Sequence, residues 1–355
     1  MKREAGFSLI ELMVAMTVFI LAIAAASNVF LGLLGQFKQQ SSISESNMEG
    51  MIGFEILKRD IELAGDGLPW TPVGTFYPEC TNPSYNDSSA VAPRSIVSDN
   101  DNPSLFNGSD YIVVKGIGVA SNNVAQKWTR LGAGGTTRVW GAASEDFSGA
   151  DYVVVYDPFN HALVTNGGSF STQYNAVSGF APTGSLTYIV YGINPSSIQM
   201  PFNRADYYIS DGSVPYASTT VVPSKCAPGT GVLVKAEVSQ AYGILNELPL
   251  IDCAADMQVV YGLDSDGTND GVVDLYMNDI SALTAQLIRD QLKEVRLYVL
   301  AHEGALDMKY TMSNSSITVG EFGLGRDFDL TTITNGVNYR WRVYTLVVRK
   351  DYLTK

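Results

Sequence analysis

Residues 6–26 read GFSLIELMVAMTVFILAIAAA, and after Glu11 no charged side chain follows until Lys38. A helix rises about 1.5 Å per residue, so the uncharged positions 12–37 would extend about 39 Å, more than the roughly 30 Å hydrocarbon core of a bilayer. We therefore predict a membrane-spanning helix over residues 9–35. The alternative is a cleaved secretory signal peptide. Its apolar core would be shorter, and an acidic residue near its start would be unusual.

Glu11 is costly at this position. A carboxylate in a membrane helix costs about 2.5–3.5 kcal/mol at the bilayer centre and less near the interface. Two interpretations follow: Glu11 pairs with a positive partner, or it lies at the level of the lipid headgroups and stays hydrated. Its position alone does not separate them.

The residues around Glu11 resemble the type IV prepilin signature. A short charged leader (1–6) ends in Gly6, Phe7 follows, and Glu11 is the fifth residue after Gly6. The resemblance implies that prepilin peptidase cuts between Gly6 and Phe7 and methylates the new amino group of Phe7. Glu11 of one subunit could then pair with the amine of a neighbour, so that two costly buried charges set the axial register of an assembly.

The same resemblance implies a location. Lys2 and Arg3 agree with a cytoplasmic amino terminus. The chain would be a single-pass protein of the inner membrane of a Gram-negative bacterium, with a periplasmic domain, and would later enter a pilus fibre at the cell surface.

The helix is predicted to continue beyond the apolar run. Residues 38–64 are amphipathic, with Phe54, Leu57 and Ile61 on one face, and a glycine–proline stop follows at 65–69. We predict one helix over residues 7–65, with its second half against a soluble domain formed by residues 66–355.

The rest of the chain is predicted to be rich in β-strands. Residues 72–109 are expected to form a long irregular loop, a second helix is expected over Ile280–Lys293, and residues 160–230 look like an insertion relative to a minimal pilin sheet. The fold class is therefore α+β and pilin-like, with a long helix and a large antiparallel sheet. The predicted strands are Asp110–Lys115, Tyr152–Tyr156, Leu186–Tyr191, Gly231–Val238, Met257–Leu263, Val272–Met277, Glu294–Leu300 and Arg340–Arg349.

One segment suggests a metal site. Residues 264–274 contain four aspartates, an asparagine and two glycines, and no lysine lies in the segment to offset the charge. Hard oxygen ligands on a tightly turning chain suit Ca²⁺. A polar hairpin turn between two strands explains the same residues, and the spacing is not that of an EF-hand. The candidate calcium ligands are Asp264, Asp266, Asn269, Asp270 and Asp274.

The carboxyl-terminal region carries a second resemblance. Residues 256–264, an Asp/Gly turn, a helix, Val295–Tyr298 and a final strand over Arg340–Arg349 are similar to the carboxyl half of PilW-type minor pilins, although Thr268 and Asn269 lengthen the turn. This implies a minor pilin in a tip complex that primes fibre assembly, with other minor pilins, the major pilin and a large adhesin as partners. The alternatives are a J-type pseudopilin of type II secretion and, from another class, a membrane-tethered glycan hydrolase.

The cysteines all follow the membrane segment, on the oxidising side where disulfides persist. Cys80, Cys226 and Cys253 allow three single pairings. We favour Cys226–Cys253 because it closes the shortest loop.

Composition and motifs disfavour other functions. With 23 basic and 36 acidic side chains, the net charge is −13, and no basic cluster is present for nucleic acid. Neither His161 nor His302 lies in a recognisable nucleophile motif. We therefore expect a protein that is not an enzyme and needs no cofactor, with Ca²⁺ as the one candidate ligand.

Overall fold

The computed structural model describes residues 8–74, 76, 78–81, 83–213, 220–268 and 270–349. It begins with a 54-residue helix, α1 (Leu9–Glu62). No proline interrupts this segment. The first half of α1 is exposed, and its second half packs on a sheet through Leu57 and Ile61.

A short helix and fifteen strands follow among the described residues. The helix α2 spans Ala285–Gln291, and the side chain of Thr284 caps it by accepting a hydrogen bond from the backbone N–H of Leu287. The strands are β1 (Ile96–Asp99), β2 (Tyr111–Gly116), β3 (Trp128–Leu131), β4 (Tyr152–Asp157), β5 (Ala162–Leu163), β6 (Ser171–Gln173), β7 (Tyr188–Asn194), β8 (Asn203–Ser210), β9 (Gly231–Val238), β10 (Leu245–Leu263), β11 (Leu275–Met277), β12 (Leu292–Glu303), β13 (Ser316–Val319), β14 (Arg326–Asp329) and β15 (Arg340–Arg349).

The strands form a main antiparallel sheet with two smaller ones. Within the described residues the main sheet has the order β1-β2-β8-β9-β10-β12-β15, with β11 paired to β10. A second sheet has the order β3-β7-β4-β5, with β6 paired to β4, and β13 and β14 form a hairpin. The predicted α+β architecture of a long helix and a large antiparallel sheet is confirmed.

Both faces of the main sheet are covered. In β12, Leu297 and Val299 pack toward α1, whereas Tyr298 and Leu300 pack toward the β13–β14 hairpin. A strand buried on both faces has no reason to alternate apolar and polar residues. This explains why residues 297–301 of β12, LYVLA, read as a continuous apolar run.

Several element boundaries differ from those predicted. The predicted helix over Ile280–Lys293 is shorter in the structure, and the predicted irregular loop 72–109 contains β1. Region 160–230 is divided between the sheets: its first part supplies β5, β6 and β7 to the second sheet, and β8 lies in the main sheet.

A buried ionic network fastens the loop after α1 to the main sheet. Lys115 on β2 lies 2.8 Å from carboxylate oxygens of both Glu79 and Asp87. Arg204 on β8 lies 2.9 Å from Glu79 and 2.7 Å from Asp206. The carboxylates hold the pKa of Arg204 above its usual value despite burial, which by itself lowers it. Because each buried charge has partners, the loop is held in one place.

Candidate functional site

The amino end of α1 is organised by Ser8 and Glu11. The backbone N–H of Glu11 donates to the Ser8 hydroxyl at 3.2 Å, and the backbone N–H of Ser8 donates to a Glu11 carboxylate oxygen at 2.9 Å. This reciprocal pair is a capping box, which satisfies two N–H groups that a helix start leaves unpaired. In a single chain, Glu11 therefore already has a hydrogen-bond partner one residue from Phe7.

The predicted cleavage and methylation residues, Gly6 and Phe7, lie outside the described residues. Immediately after them, α1 is long and apolar enough to cross a membrane. Every residue from 9 to 37 is exposed, with Leu9 at 79% and Phe37 at 72%. The predicted N-terminal apolar helix is confirmed, and its surface is available to lipid or to other helices.

The contacts between α1 and the domain begin at Gln39. Its side-chain amide donates to Asp307 at 3.1 Å, and further along the helix Glu49 lies 3.2 Å from Lys225. The helix comes very close to the main sheet at Gly53, where a Cβ atom would stand 2.7 Å from the carbonyl oxygen of Leu250. Only glycine lets the two backbones come this close.

A buried ion pair that was not predicted from the sequence joins the same helix to the sheet. Asp60 is buried and lies 2.6 Å from Lys235 of β9, and it also accepts a hydrogen bond from the Tyr207 hydroxyl of β8. Burial raises the pKa of Asp60, and Lys235 opposes that rise. The sequence did contain a signal for this ion pair, because the acidic Asp60 lies between Leu57 and Ile61 in the apolar stripe of the helix.

The structure brings three of the candidate calcium ligands together. Oxygen atoms of Asp264, Asp266 and Asp274 all lie within 4.8 Å of one another. Asp264 is 1% exposed, and its Oδ1 has no hydrogen-bond partner among the described residues. Asp270 is not in this group, and its Oδ1 accepts from the backbone N–H of Val272. Asn269 lies outside the described residues.

Internal hydrogen bonds also shape this turn. The Ser265 hydroxyl donates to Asp274 at 2.7 Å, which lowers the pKa of that carboxyl. The backbone N–H of Gly271 donates to Asp264 Oδ2 at 2.8 Å. Hydrogen bonds within the turn therefore engage most of its carboxylate oxygens, but Asp264 Oδ1 has no such bond among the described residues.

A lysine lies closer to the cluster than the sequence suggested. The segment contains none, but the Lys293 ammonium comes from the start of β12 to 4.0 Å from Asp264. A cation bound at Asp264 would therefore have to tolerate a positive neighbour.

The disulfide predicted from the sequence is present. Cys226 and Cys253 are bonded, with their Cα atoms 4.8 Å apart. His302 lies beside them and accepts a hydrogen bond through Nε2 from the backbone N–H of Ala227 at 2.9 Å. With both sulfurs in the disulfide, this trio offers no thiolate for a metal. Cys80 packs with Met200 in a separate apolar cluster.

Both histidines are held by packing contacts: His302 is buried, and His161 stacks on an aromatic ring. Burial lowers the pKa of His302 to about 4, so its ring is neutral near pH 7. The His161 ring stacks on Trp70 at a centroid distance of 3.6 Å, and the guanidinium of Arg289 lies 4.1 Å from the Trp70 ring. This stack joins the second sheet to the chain after α1 and to α2.

Comparison with known proteins gives one match. Residues 1–27 match the family model of the prokaryotic N-terminal methylation motif. Neither a curated protein nor a solved structure matches the chain. Together with the exposed apolar helix and the antiparallel sheet, the motif supports a prepilin-like chain, a type IV pilin or pseudopilin processed by a prepilin peptidase.

Proposed function

We propose that the protein is a minor pilin of the PilW type, which helps to prime type IV pilus assembly and is incorporated at the fibre tip. The observation that carries the proposal is the methylation motif at residues 1–27, continuing into a helix whose apolar residues from 9 to 37 are all exposed. Such a surface is stable only in lipid or against other helices. Membrane residence followed by helix-to-helix assembly supplies both environments.

The size of the domain supports a tip position. Beyond the sheet on which α1 packs, the chain carries a second sheet of five strands within the described residues. In a fibre of identical copies, this volume must fit between neighbours at every repeat, whereas a subunit at the end has no neighbour above it. Other minor pilins and the major pilin are then the expected partners below, and a large adhesin is a candidate partner above.

Glu11 supplies a test of assembly. In the proposal its carboxylate pairs with the amino group of a neighbouring subunit, and the capping contact to Ser8 holds it until assembly. Glu11→Gln keeps an acceptor for the Ser8 N–H but removes the charge, because glutamine also completes a capping box. Glu11→Ala removes both.

We expect both Glu11 variants to be processed normally and to be incorporated poorly into pili. Mass spectrometry of the membrane fraction measures processing, and immunoblotting of sheared pili measures incorporation. Normal incorporation of Glu11→Gln would show that the capping contact, and not the charge, is what matters. Separately, Gly6→Leu should leave the leader uncleaved, and a normally processed Gly6→Leu chain would contradict the cleavage assignment.

The alternative is a J-type pseudopilin of type II secretion. A deletion strain separates the two functions, because loss of surface pili with secretion intact favours the minor pilin, and the reverse favours the pseudopilin. We also propose that the chain is not an enzyme, in keeping with its neutral, buried His302 and its stacked His161. Hydrolysis of glycans by the purified protein would contradict this.

We further propose that Asp264, Asp266 and Asp274 hold Ca²⁺. The supporting observation is the buried Oδ1 of Asp264, which lacks a hydrogen bond and belongs to a group of carboxylates within reach of one ion. Aspartate oxygens are the ligands that Ca²⁺ prefers. Bound there, the ion would stabilise the turn that leads into β11.

Calorimetry of the full-length protein in detergent with CaCl₂ tests the calcium site. The informative variant is Asp264→Asn, which keeps an acceptor for the Gly271 N–H, and the matched control is Asp270→Asn, outside the three-carboxylate group. We expect binding heat and a rise in melting temperature for wild type and Asp270→Asn, with loss of both in Asp264→Asn. An absence of heat and of any melting shift in the wild type would leave only the turn.

A further inference from the structure

A largely exposed face of aromatic and basic side chains, in which only Trp140 is half-buried, lies at the edge of the second sheet. We call it the Trp–Arg face and define it by Trp128, Arg130, Arg138 and Trp140. Trp128 and Arg130 belong to β3, an edge strand whose alternate residues Thr129 and Leu131 are buried. Trp128 and Arg130 therefore share the outer face of this strand.

The chain after β3 turns back and runs antiparallel beside it. The backbone N–H of Arg138 donates to the carbonyl of Arg130 at 3.2 Å, and Leu131 forms a bridge with Thr137. In this register Arg138 lies opposite Arg130 and Trp140 lies opposite Trp128. The indole N–H of Trp140 confirms the register by donating to the Trp128 carbonyl at 2.8 Å.

Within the part of the chain that the structure describes, the two arginines have no acidic partner. Among the described residues, neither guanidinium makes an ion pair or a side-chain hydrogen bond, although the chain carries 36 acidic side chains against 23 basic ones. Like charges directly opposite each other on a sheet are destabilising. The Arg138 guanidinium is held over the Trp140 ring, 4.1 Å from its centroid. A bound anion would offset the repulsion between the two guanidinium groups. The Arg138 guanidinium is already oriented by its contact with Trp140.

The two tryptophans also line a cleft beside the arginines. Their rings meet edge to face at 4.9 Å, and Trp128 is 41% exposed. The cleft has a volume of about 320 Å³, within the range of small-ligand sites, and Gln126, Lys127 and Glu145 line the rest of it. The Gln126 amide and the Lys127 ammonium are already bonded to backbone carbonyls. Glu145 thus remains to accept hydrogen bonds from a ligand.

We propose that the Trp–Arg face binds an anionic polysaccharide, with a sugar ring against the tryptophans and its acidic group on Arg130 and Arg138. Indole rings offer a flat apolar surface to the C–H groups of a pyranose, and guanidinium pairs with carboxylate or sulfate in a forked geometry. The Glu145 carboxylate accepts hydrogen bonds from the hydroxyl groups of the sugar. This site is independent of the proposed assembly function and gives the exported domain a ligand of its own.

Other anionic polymers fit the face less well. DNA presents one charge per about 1.7 Å, and an anionic membrane is similarly dense in phosphate. The net charge of −13 and the carboxylate of Glu145 in the cleft both oppose such phosphate arrays. A polysaccharide with one acidic group on every sugar or on every second sugar has a lower charge density. Its hydroxyl groups can also donate hydrogen bonds to Glu145.

The test measures binding of full-length protein in detergent to polygalacturonate, to a sulfated glycan and to neutral dextran, with double-stranded DNA and phosphatidylglycerol vesicles as further arms. The informative variants are Arg130→Gln/Arg138→Gln and Trp128→Ala. The matched control, Lys309→Gln/Arg342→Gln, removes two exposed positive charges elsewhere. Quenching of tryptophan fluorescence in the wild-type protein provides a measurement that needs no variant.

We expect saturable, salt-sensitive binding and quenching with the uronate polymer, the sulfated polymer or both, and none with dextran. Each informative variant should weaken binding about tenfold or more, and the control should match the wild type. Absence of binding to both anionic glycans would overturn the proposal. So would equal binding by the arginine variant, or tighter binding to DNA or vesicles that depends on the same residues.

Discussion

Gly50 and Gly53 lie one turn apart on the face of α1 that packs against the main sheet, and we expect the same substitution to have different effects at the two positions. At Gly53 a Cβ would stand 2.7 Å from the Leu250 carbonyl oxygen and 3.1 Å from the Leu250 Cβ. At Gly50 the nearest atom to a Cβ would be Tyr344 Cε1, at 3.4 Å, an ordinary contact. The pair therefore separates helix propensity from packing.

The magnitudes follow from two terms. Alanine is favoured over glycine inside a helix by about 0.8–1.0 kcal/mol, and this gain applies to both positions. Forcing a methyl group into a packed interface costs about 1–3 kcal/mol, and this cost applies to Gly53 alone because its neighbour is backbone and cannot rotate away. We expect Gly50→Ala to stabilise the protein by about 1 kcal/mol and Gly53→Ala to be about 1–3 kcal/mol less stable than Gly50→Ala.

Urea unfolding of the full-length protein in detergent, followed by tryptophan fluorescence, measures both variants against wild type. The dependence of the free energy of unfolding on urea should be unchanged, so the midpoints report stability directly. If Gly53→Ala stabilises the protein as much as Gly50→Ala does, then α1 and β10 do not lie too close at Gly53 to admit a methyl group, and the expected packing cost is refuted.

Three further predictions concern buried groups. Burial raises the pKa of Asp110 from 3.8 to about 8, so the folded protein keeps a proton that the unfolded chain releases; stability should fall as the pH rises from about 4 to 8. Asp110→Asn should flatten this part of the pH profile of the free energy of unfolding, and an unchanged slope would contradict the assignment. Lys235→Met should cost about 3–5 kcal/mol by leaving Asp60 buried without its ion pair, whereas a loss below about 1 kcal/mol would show that the pair matters little. Replacing both Cys226 and Cys253 by alanine opens a loop with a sequence separation of 27 and should cost about 3.5 kcal/mol in chemical unfolding; an unchanged unfolding midpoint would refute this.

The strands show where sequence reasoning succeeds. The bounds predicted for β9 and β15, Gly231–Val238 and Arg340–Arg349, agree with the structure. Both are rich in β-branched and aromatic residues, a local property. For β10 only Met257–Leu263 was predicted. Its first half contains Asn246, Glu247 and Pro249, and pairing with β9 rather than composition makes it a strand.

Strand β8 shows where it fails. All eight of its residues are buried, yet it contains Asn203, Arg204 and Asp206 and was not predicted. Arg204 and Asp206 are bonded to each other, and Arg204 also reaches Glu79, more than a hundred residues earlier in the chain. Buried charges of this kind are tolerated only with partners, and the partners are known only once the chain is folded.

The candidate sites divide in the same way. The prepilin motif, the apolar helix and the acidic turn depend on residues adjacent in the chain, so the sequence alone determined them. Folding decided that Lys293 approaches Asp264, that Asp60 meets Lys235, and that Trp128 and Arg130 face outward at a sheet edge. Helix formation and turn chemistry depend on local hydrogen bonds and apolar spacing. Charge pairing and exposure instead depend on distances between remote segments, which only the tertiary structure sets.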